Sequence, residues 1–216
     1  MSQESTRIIA IRHGETAWNV DTRIQGSLDI ALNARGQEQA KAVAQALLGE
    51  EIAAIYSSDL WRAHDTAMAI SKAVGLQNIP TEGLRERLFG RFEGKTFAEV
   101  EALWPDEAVR WRRREPDFCP EGGESLLTFR TRILKCLSDL AARHVGQQIV
   151  IVSHGGCNDI FYRAATGVDL QAARTWSLGN AEINRLLWTP QGLSLVGWAD
   201  IAHLDGAALD EVNNPK

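Results

Sequence analysis

Residues 7–16 read RIIAIRHGET, and this stretch decides how the rest of the chain is interpreted. Its first half is a short run of apolar, largely β-branched residues, which predicts a buried strand. The run stops at Arg12-His13-Gly14, so a loop with two cation-forming side chains leaves the end of that strand. Two adjacent cation-forming residues at a buried strand exit need a compensating anion. The stretch therefore predicts an anion-binding site at the end of a central strand.

Strands and helices are expected to alternate along the remaining chain. Strands are predicted near residues 52–56, 148–152, 182–188 and 193–198, with a short strand and turn over residues 77–86. Helices are predicted near residues 37–48, 59–75, 96–115, 124–144 and 155–165, the third of them broken at Pro105. Asp59 is the expected N-cap of the second helix, and Leu127 is expected on the buried stripe of the fourth. The alternation predicts a mostly parallel sheet with helices on both faces. No repeat or linker divides the sequence, so residues 1–216 are expected to form one domain.

Composition and charge argue against several classes of protein. The chain has 216 residues, 44% of them hydrophobic, and a net charge of −5, which disfavours a nucleic-acid-binding protein. It contains no apolar run long enough to span a membrane, and its polar start does not resemble a signal peptide. Its three cysteines have no CxxC spacing, which favours a reducing compartment over a disulfide framework or a zinc site. A cytoplasmic location is therefore expected, with no membrane or nucleic-acid partner.

Three predicted strands end in sequence that suits an anion. The strand at residues 7–12 ends at His13, the second strand is followed by Arg62, and the strand at residues 148–152 is followed by His154-Gly155-Gly156. Ligands of open α/β sheets bind at the carboxyl ends of the strands. The two glycines open a helix, whose free N–H groups attract negative charge. The three strand ends together predict a pocket for a small, multiply charged anion, and phosphate fits best.

Several sequence blocks, in order, resemble the histidine phosphatase superfamily, which has the phosphoglycerate mutase-like fold. The blocks are Arg12-His13-Gly14-Glu15-Thr16 with Trp18-Asn19, Arg23-Ile24-Gln25-Gly26, and residues 56–62, 84–90, 120–125 and 152–156. The resemblance covers nearly the whole chain. It implies a three-layer α/β sandwich with a mostly parallel central sheet flanked by helices, and a metal-independent enzyme without a cofactor. Residues 201–211 resemble the tails of small bacterial proteins labelled as a second type of phosphoglycerate mutase.

The same resemblance implies roles for individual residues. His13 would be the nucleophile that forms a phosphohistidine, and Glu86 the general acid and base. Neutral imidazole is a competent nucleophile near pH 7, and one carboxyl group can give and then take a proton in the two half-reactions. Positive charge around the phosphate would come from Arg12, Arg62 and His154, and further phosphate or substrate contacts from Asn19, Gln25, Gly26, Gly155, Gly156, Arg112 and Arg113. Glu15 is better interpreted as an orienting residue or a partner of arginine.

Three functions remain open, and a phosphomonoester hydrolase is favoured. The stretch between Glu86 and His154 lacks the extra cationic segment of the mutases, and Ser27-Leu28 follows Gly26 where dedicated mutases have an aromatic residue. The tail resemblance favours the alternative, a phosphoglycerate mutase. A catalytically inactive phosphate-binding regulatory protein is the second alternative, against which the complete residue set argues. The expected partner is a small phosphorylated metabolite, such as phosphoglycerate, a sugar phosphate, phosphoserine or a nucleoside or cobamide-precursor phosphate. A homodimer is considered alongside a monomer.

Overall fold

A six-stranded sheet forms the centre of the computed structural model, which describes residues 5–204. The strands are β1 (Thr6–Arg12), β2 (Ala54–Ser57), β3 (Asn78–Pro80), β4 (Gln148–Ser153), β5 (Ile183–Thr189) and β6 (Gly192–Asp200). The helices are α1 (Ala17–Val20), α2 (Ala34–Ala46), α3 (Trp61–Val74), α4 (Phe97–Leu103), α5 (Pro105–Arg112), α6 (Leu126–Ala141) and α7 (Gly155–Thr166), with three short 3-10 turns. None of the described helices combines the length and the apolar content that crossing a membrane requires.

The sheet is mostly parallel, as the alternating pattern predicts. Its strand order is β3-β2-β4-β1-β5-β6. The first four strands of this order are parallel to one another, and β5 is antiparallel to both of its neighbours, β1 and β6. Arg12 pairs with Ser153 and Ser57 with Val152, so β1, β4 and β2 end at the same edge. The three predicted strand exits therefore meet in space.

Both faces of the sheet are buried, which explains the continuous apolar sequence of β1. Ile8 and Ala10 lie in an apolar cluster with α6 and α7, whereas Ile9 and Ile11 lie in a second cluster with α2 and α3. Burial of an isoleucine side chain contributes about 1.5–3 kcal/mol. A strand that is apolar on both faces can only sit between two helical layers. The three-layer sandwich is thus confirmed.

Residues 89–118 form a smaller lobe, called here the 89–118 segment, with an apolar cluster of its own. Phe89, Phe92, Val100, Ala108 and Phe118 form this cluster, against which Trp104 and Trp111 pack. Pro105 separates α4 from α5, as expected, and occupies the first turn of α5. The segment is joined to Ile24, in the loop after α1, by two backbone hydrogen bonds. The Gly94 N–H donates to the Ile24 carbonyl at 2.8 Å, and the Ile24 N–H donates to the Lys95 carbonyl at 2.9 Å.

Two local predictions are wrong. Asp59 does not cap α3, which begins after Leu60, because the Asp59 carboxylate instead binds Arg85 through two hydrogen bonds of 2.8 and 2.6 Å. Leu127 is 43% exposed, since α6 begins at Leu126 behind the Ser125 cap and turns Leu126 and Phe129 inward. Most of the tail that resembles the mutases, residues 205–211, lies outside the described residues.

Candidate active site

The two histidines predicted to share a site are in direct contact. The ring centroids of His13 and His154 are 5.3 Å apart, with an angle of 62° between the ring planes. The cavity beside them is lined by Arg12, His13, Asn19, Gln25, Gly26, Arg62, Glu86 and Gly155, together with Trp18, Thr22, Arg23, Ile24 and Phe89. The structure therefore brings together all five residues that the resemblance implies as catalytic.

His13 is oriented by the backbone that follows it. Its Nδ1 lies 2.7 Å from the carbonyl oxygen of Gly14. A carbonyl oxygen only accepts hydrogen bonds, so Nδ1 carries the proton and Nε2 keeps its lone pair. Gly14 is itself held by a 3.0 Å hydrogen bond from its N–H to Thr66 Oγ1. Nε2 is thus the ring nitrogen whose lone pair is available to a ligand.

A segment that the sequence did not identify holds Arg12 and His13 in place. Arg12 Nη1 donates to the carbonyl of Leu178, and the N–H of Ala181 donates to the carbonyl of Arg12 at 3.0 Å. Asn180 Nδ2 donates to the carbonyl of His13 at 2.9 Å. Residues 178–181 therefore fix both the side chain and the main chain of the nucleophile loop.

Arg62 is buried and its guanidinium is held as a fork. Nη1 donates to the carbonyl of Leu28 at 2.8 Å and Nη2 to the carbonyl of Gly26 at 2.7 Å. Asn19 has a similarly fixed amide, because its Oδ1 accepts from the N–H and hydroxyl of Thr16 at 2.9 and 3.0 Å. This orientation leaves Asn19 Nδ2 as the atom that can donate to a ligand.

Glu86 lies at the cavity wall and is held by two backbone N–H groups. Its Oε1 accepts from Arg87 N at 2.7 Å and its Oε2 from Gly156 N at 2.8 Å. The Gly156 N–H at the start of α7 is therefore engaged by the carboxylate, whereas we expected it to face the phosphate. Gly155, one residue earlier, lines the cavity as expected.

Burial and positive charge keep both site histidines neutral. Burial first, then the charges of Arg62 and Arg12, place the pKa of His13 well below 6.5. The pKa of His154 is well below 6.5 as well, through burial, Arg62 and His13 in that order. Neither ring nitrogen of His154 has a hydrogen-bond partner within the described part of the chain. The cavity thus combines two neutral imidazoles with the positive charge of two arginines, which attracts an anion.

Sequence comparison agrees with this geometry. A profile of the histidine phosphatase superfamily (branch 1) matches residues 8–201. The chain belongs to this superfamily. It is 36% identical over 203 residues to phosphoglycerate mutase-like protein 4 of Arabidopsis thaliana, covering 92% of this chain and 86% of that protein. It is 35% identical over 207 residues to a metal-independent phosphoserine phosphatase of the same plant, covering 94% and 85% of the two chains.

The fold of this histidine phosphatase superfamily member is also found in solved structures. A phosphoserine phosphatase of Entamoeba histolytica, in complex with 3-phosphoglyceric acid, superposes with a TM-score of 0.81. It is 32% identical in sequence, and the match covers 92% of this chain and 99% of that one. Within residues 5–204, no three His, Cys, Asp or Glu side chains are grouped as a metal site would need.

Three predicted residues of this histidine phosphatase lie away from the cavity. Arg112 binds Glu101 at 2.8 Å, and its guanidinium lies 4.7 Å from the centre of the Phe97 ring. Arg113 is exposed, and neither arginine is among the described residues that line the cavity. Glu15 accepts from Asn33 Nδ2 at 2.8 Å and lies 3.7 Å from Arg35, in agreement with its interpretation as a partner of arginine.

The close approach of Gly156 to the Glu86 carboxylate leads to a first prediction. We expect Gly156→Ala to lower kcat by about 10- to 100-fold, because small displacements of a catalytic group have effects of that size. The added methyl would stand 2.3 Å from Glu86 Oε1 and push the carboxylate out of position. Steady-state hydrolysis of p-nitrophenyl phosphate measures the effect. Gly197→Ala is the matched control, since its methyl would meet only Arg185 Cβ at 4.0 Å.

The buried histidines lead to a prediction about stability. We expect the free energy of unfolding to fall as pH is lowered through about 6.5, where histidine of an unfolded chain titrates. In that range the unfolded chain binds protons that the folded protein, with its lowered histidine pKa values, does not. Each of the two histidines adds a slope of about 1.4 kcal/mol per pH unit, down to its own folded pKa.

Urea unfolding at a series of pH values tests this expectation. His154→Gln removes one of the two histidines, so its stability should depend less steeply on pH than that of the wild type. Equal slopes for the two proteins between about pH 6.5 and 5 would contradict the buried, neutral state of His154.

Proposed function

We propose that this protein hydrolyses small phosphomonoesters through a phosphohistidine formed on His13. The observation that carries the proposal is the contact of His13 with His154, at 5.3 Å, in a cavity lined by Arg12 and Arg62 and walled by Glu86. Phosphoryl transfer depends mainly on positioning and on stabilising the charge of the phosphoryl oxygens. The guanidinium groups of Arg12 and Arg62 and the imidazole of His154, placed around Nε2 of His13, can position the phosphate and stabilise its charge.

In the first half-reaction, Nε2 of His13 attacks phosphorus as the ester P–O bond breaks. Arg12, Arg62 and His154 stabilise the charge on the phosphoryl oxygens, with Asn19 Nδ2 as a further donor. The leaving oxygen takes a proton from Glu86. The step leaves a phosphohistidine, a free alcohol and an ionised Glu86.

In the second half-reaction, water attacks the phosphohistidine. The Glu86 carboxylate removes a proton from the water as its oxygen bonds to phosphorus and the P–N bond breaks. Phosphate leaves, and His13 returns to its neutral form, with its Nδ1–H still donating to the Gly14 carbonyl. The two hydrogen bonds from Arg87 N and Gly156 N hold the carboxylate through both steps.

A phosphoglycerate mutase is the second candidate, favoured by the name of one Arabidopsis thaliana relative. Supplying 3-phosphoglycerate with and without 2,3-bisphosphoglycerate separates the two, in the presence of EDTA. We expect release of inorganic phosphate without dependence on the bisphosphate. Rapid isomerisation that requires the bisphosphate and releases little phosphate would make the protein a mutase. Absence of both reactions, and of p-nitrophenyl phosphate hydrolysis, would leave a phosphate-binding protein.

A second crevice, called here the leaving-group crevice, begins where the cavity meets Glu86 and Phe89. The residues that line it are Glu86, Arg87, Phe89, Trp111, Arg114, Leu126, Phe129, Gly156 and Asp159. Because Glu86 protonates the departing oxygen, the rest of the substrate must lie beside it. The crevice is one of the spaces beside Glu86 that could hold that group.

Two arginines in the leaving-group crevice suit an anionic substituent. Arg87 donates through Nε and Nη2 to backbone carbonyls, at 2.9 and 3.1 Å, and burial lowers its pKa to about 10. Arg114 binds Asp159 through Nη2 at 2.6 Å. The Nη1 groups of both arginines lack a hydrogen-bond partner in the described part of the chain. We propose that they bind a carboxylate of the substrate, as carried by phosphoserine and 3-phosphoglycerate.

Matched substrates test the carboxylate. O-phosphoethanolamine is O-phosphoserine without its carboxylate, and we expect kcat/KM for phosphoserine to be higher by about tenfold or more, since hydrogen bonds to charged groups contribute about 1.5–3 kcal/mol. Arg114→Met should remove this preference and leave phosphoethanolamine hydrolysis unchanged. Arg130→Met, which removes an exposed arginine of α6, should keep the preference. Equal use of both esters by the wild type would exclude a carboxylate subsite.

A further inference from the structure

Glu93 makes a set of contacts that the catalytic mechanism does not use. Its Oε1 accepts from Ser27 N at 3.0 Å and from Phe89 N at 2.9 Å. The Ser27 hydroxyl lies 3.2 Å from Oε1 and 2.9 Å from Oε2. No basic side chain of the described residues forms an ion pair with this partly buried carboxylate. Its contacts are neutral donors on two different loops.

The hydrogen bond between Glu93 and the Ser27 N–H involves the same peptide group whose carbonyl binds Arg62. The peptide between Gly26 and Ser27 presents its carbonyl to Arg62 Nη2, at 2.7 Å, and its N–H to Glu93, at 3.0 Å. In a trans peptide the C=O and N–H groups point in opposite directions within one rigid plane. The carboxylate at one end therefore fixes the direction of the carbonyl at the other.

Gly26 allows this arrangement. It has a φ of +52°, and a Cβ atom at this position would lie 2.1 Å from Glu93 Oε1. A glycine adopts such a backbone conformation without steric cost and leaves room for the carboxylate. The turn is closed by the Leu28 N–H, which donates to the Gln25 carbonyl at 3.0 Å, and the Leu28 carbonyl accepts from Arg62 Nη1.

The second contact reaches the other side of the cavity. Phe89 lines the cavity three residues after Glu86, and its N–H donates to the same Oε1 that binds Ser27. One carboxylate oxygen thus joins the loop that orients Arg62 to the loop that carries Glu86 and Phe89. The Glu93 side chain therefore contacts both the phosphate-binding side and the acid side of the cavity.

We propose that Glu93 is a positioning residue, which sets the direction of the Arg62 fork and its spacing from Glu86 by bridging Ser27 and Phe89. The role rests on the proposed phosphatase function and adds no proton transfer to it. Length and acceptor geometry matter for such a bridge, and negative charge does not. Glutamine can replace Glu93, because its Oε1 accepts both N–H groups and its amide nitrogen can donate to the Ser27 hydroxyl.

Three variants of Glu93 distinguish the effect of side-chain length from the effect of negative charge. We expect Glu93→Gln to keep kcat/KM for p-nitrophenyl phosphate within about threefold of the wild type, and Glu93→Ala and Glu93→Asp to lose on the order of 100-fold, the effect of small displacements in an active site. The Ki of inorganic phosphate should rise about tenfold or more in the aspartate variant, because a misdirected Arg62 binds phosphate poorly. The pH values at which kcat/KM changes should stay those of the wild type.

Glu101→Ala is the matched control, since it removes an exposed carboxylate from the same segment. Thermal unfolding of each variant shows whether it still folds. If Glu93→Ala does not fold, the comparison of Glu93→Gln with Glu93→Asp still tests the positioning role. Near-wild-type activity of Glu93→Asp, or a loss in Glu93→Gln as large as in Glu93→Asp, would overturn the positioning role. If the wild type hydrolyses phosphomonoesters and no variant differs from it, this inference fails and the proposed function stands. An inactive wild type would end both.

Discussion

Replacement of His13 by alanine is expected to reduce hydrolysis of p-nitrophenyl phosphate by about 10⁴-fold or more, the scale seen when a covalent nucleophile is removed. His13 is the imidazole whose Nε2 is left free by the Nδ1 contact with the Gly14 carbonyl, at 2.7 Å. His154 touches it and has no such fixed orientation, because neither of its ring nitrogens has a hydrogen-bond partner in the described chain. It cannot take over the attack with the same geometry.

The measurement is hydrolysis in EDTA, together with acid-labile phosphate retained on rapidly quenched protein. The wild type should carry the label and His13→Ala should not. His144→Gln is the control, because His144 binds Tyr56 and Gln147 outside the cavity. Full activity of His13→Ala would place the nucleophile elsewhere and remove the basis of the proposal.

Glu86→Gln is expected to give the second largest effect, with a dependence on the leaving group. For an alkyl ester such as phosphoserine we expect kcat to fall by about 10³-fold, within the range of general acid–base catalysis. Nitrophenolate leaves without a proton, so the first half-reaction of p-nitrophenyl phosphate should be much less affected. Water attack still lacks its base, and the phosphohistidine should accumulate.

Pre-steady-state kinetics make this distinction visible. We expect a burst of nitrophenol in Glu86→Gln, equal to the enzyme concentration, followed by slow turnover. Glu82→Gln, an exposed carboxylate one turn earlier, should behave as the wild type. Equal losses for alkyl and nitrophenyl esters, with no burst, would show that Glu86 supports the fold and transfers no proton.

The parts of the site that sequence could predict are those with a residue-type signal. Two buried apolar strands are followed directly by polar residues that can carry positive charge, Arg12-His13 in one case and His154 in the other. Such residues are unexpected next to a core strand and therefore indicate a site. The parallel arrangement of β1, β4 and β2 then brings these ends together without any further information. Glu86 carried no such signal and was identified only through the family resemblance.

The remaining parts depend on backbone groups and on competition between partners. The Leu178 carbonyl that binds Arg12 is an acceptor that every residue type offers, so no pattern could indicate it. Asp59 is a good capping residue by type, but Arg85 lies within 2.6 Å and takes its carboxylate. The sequence predicts that the Gly156 N–H donates a hydrogen bond to phosphate, but in the structure it donates to the Glu86 carboxylate.

The bonds from Arg12 to residues near 180 have a consequence for biosynthesis. Arg12 and Leu178 are 166 residues apart in sequence, and β5, which flanks β1, is made later still. Closing so large a loop is slow compared with local folding. A nascent chain that ends before residue 181 lacks these bonds to Arg12, so we expect truncated products of that length to be inactive.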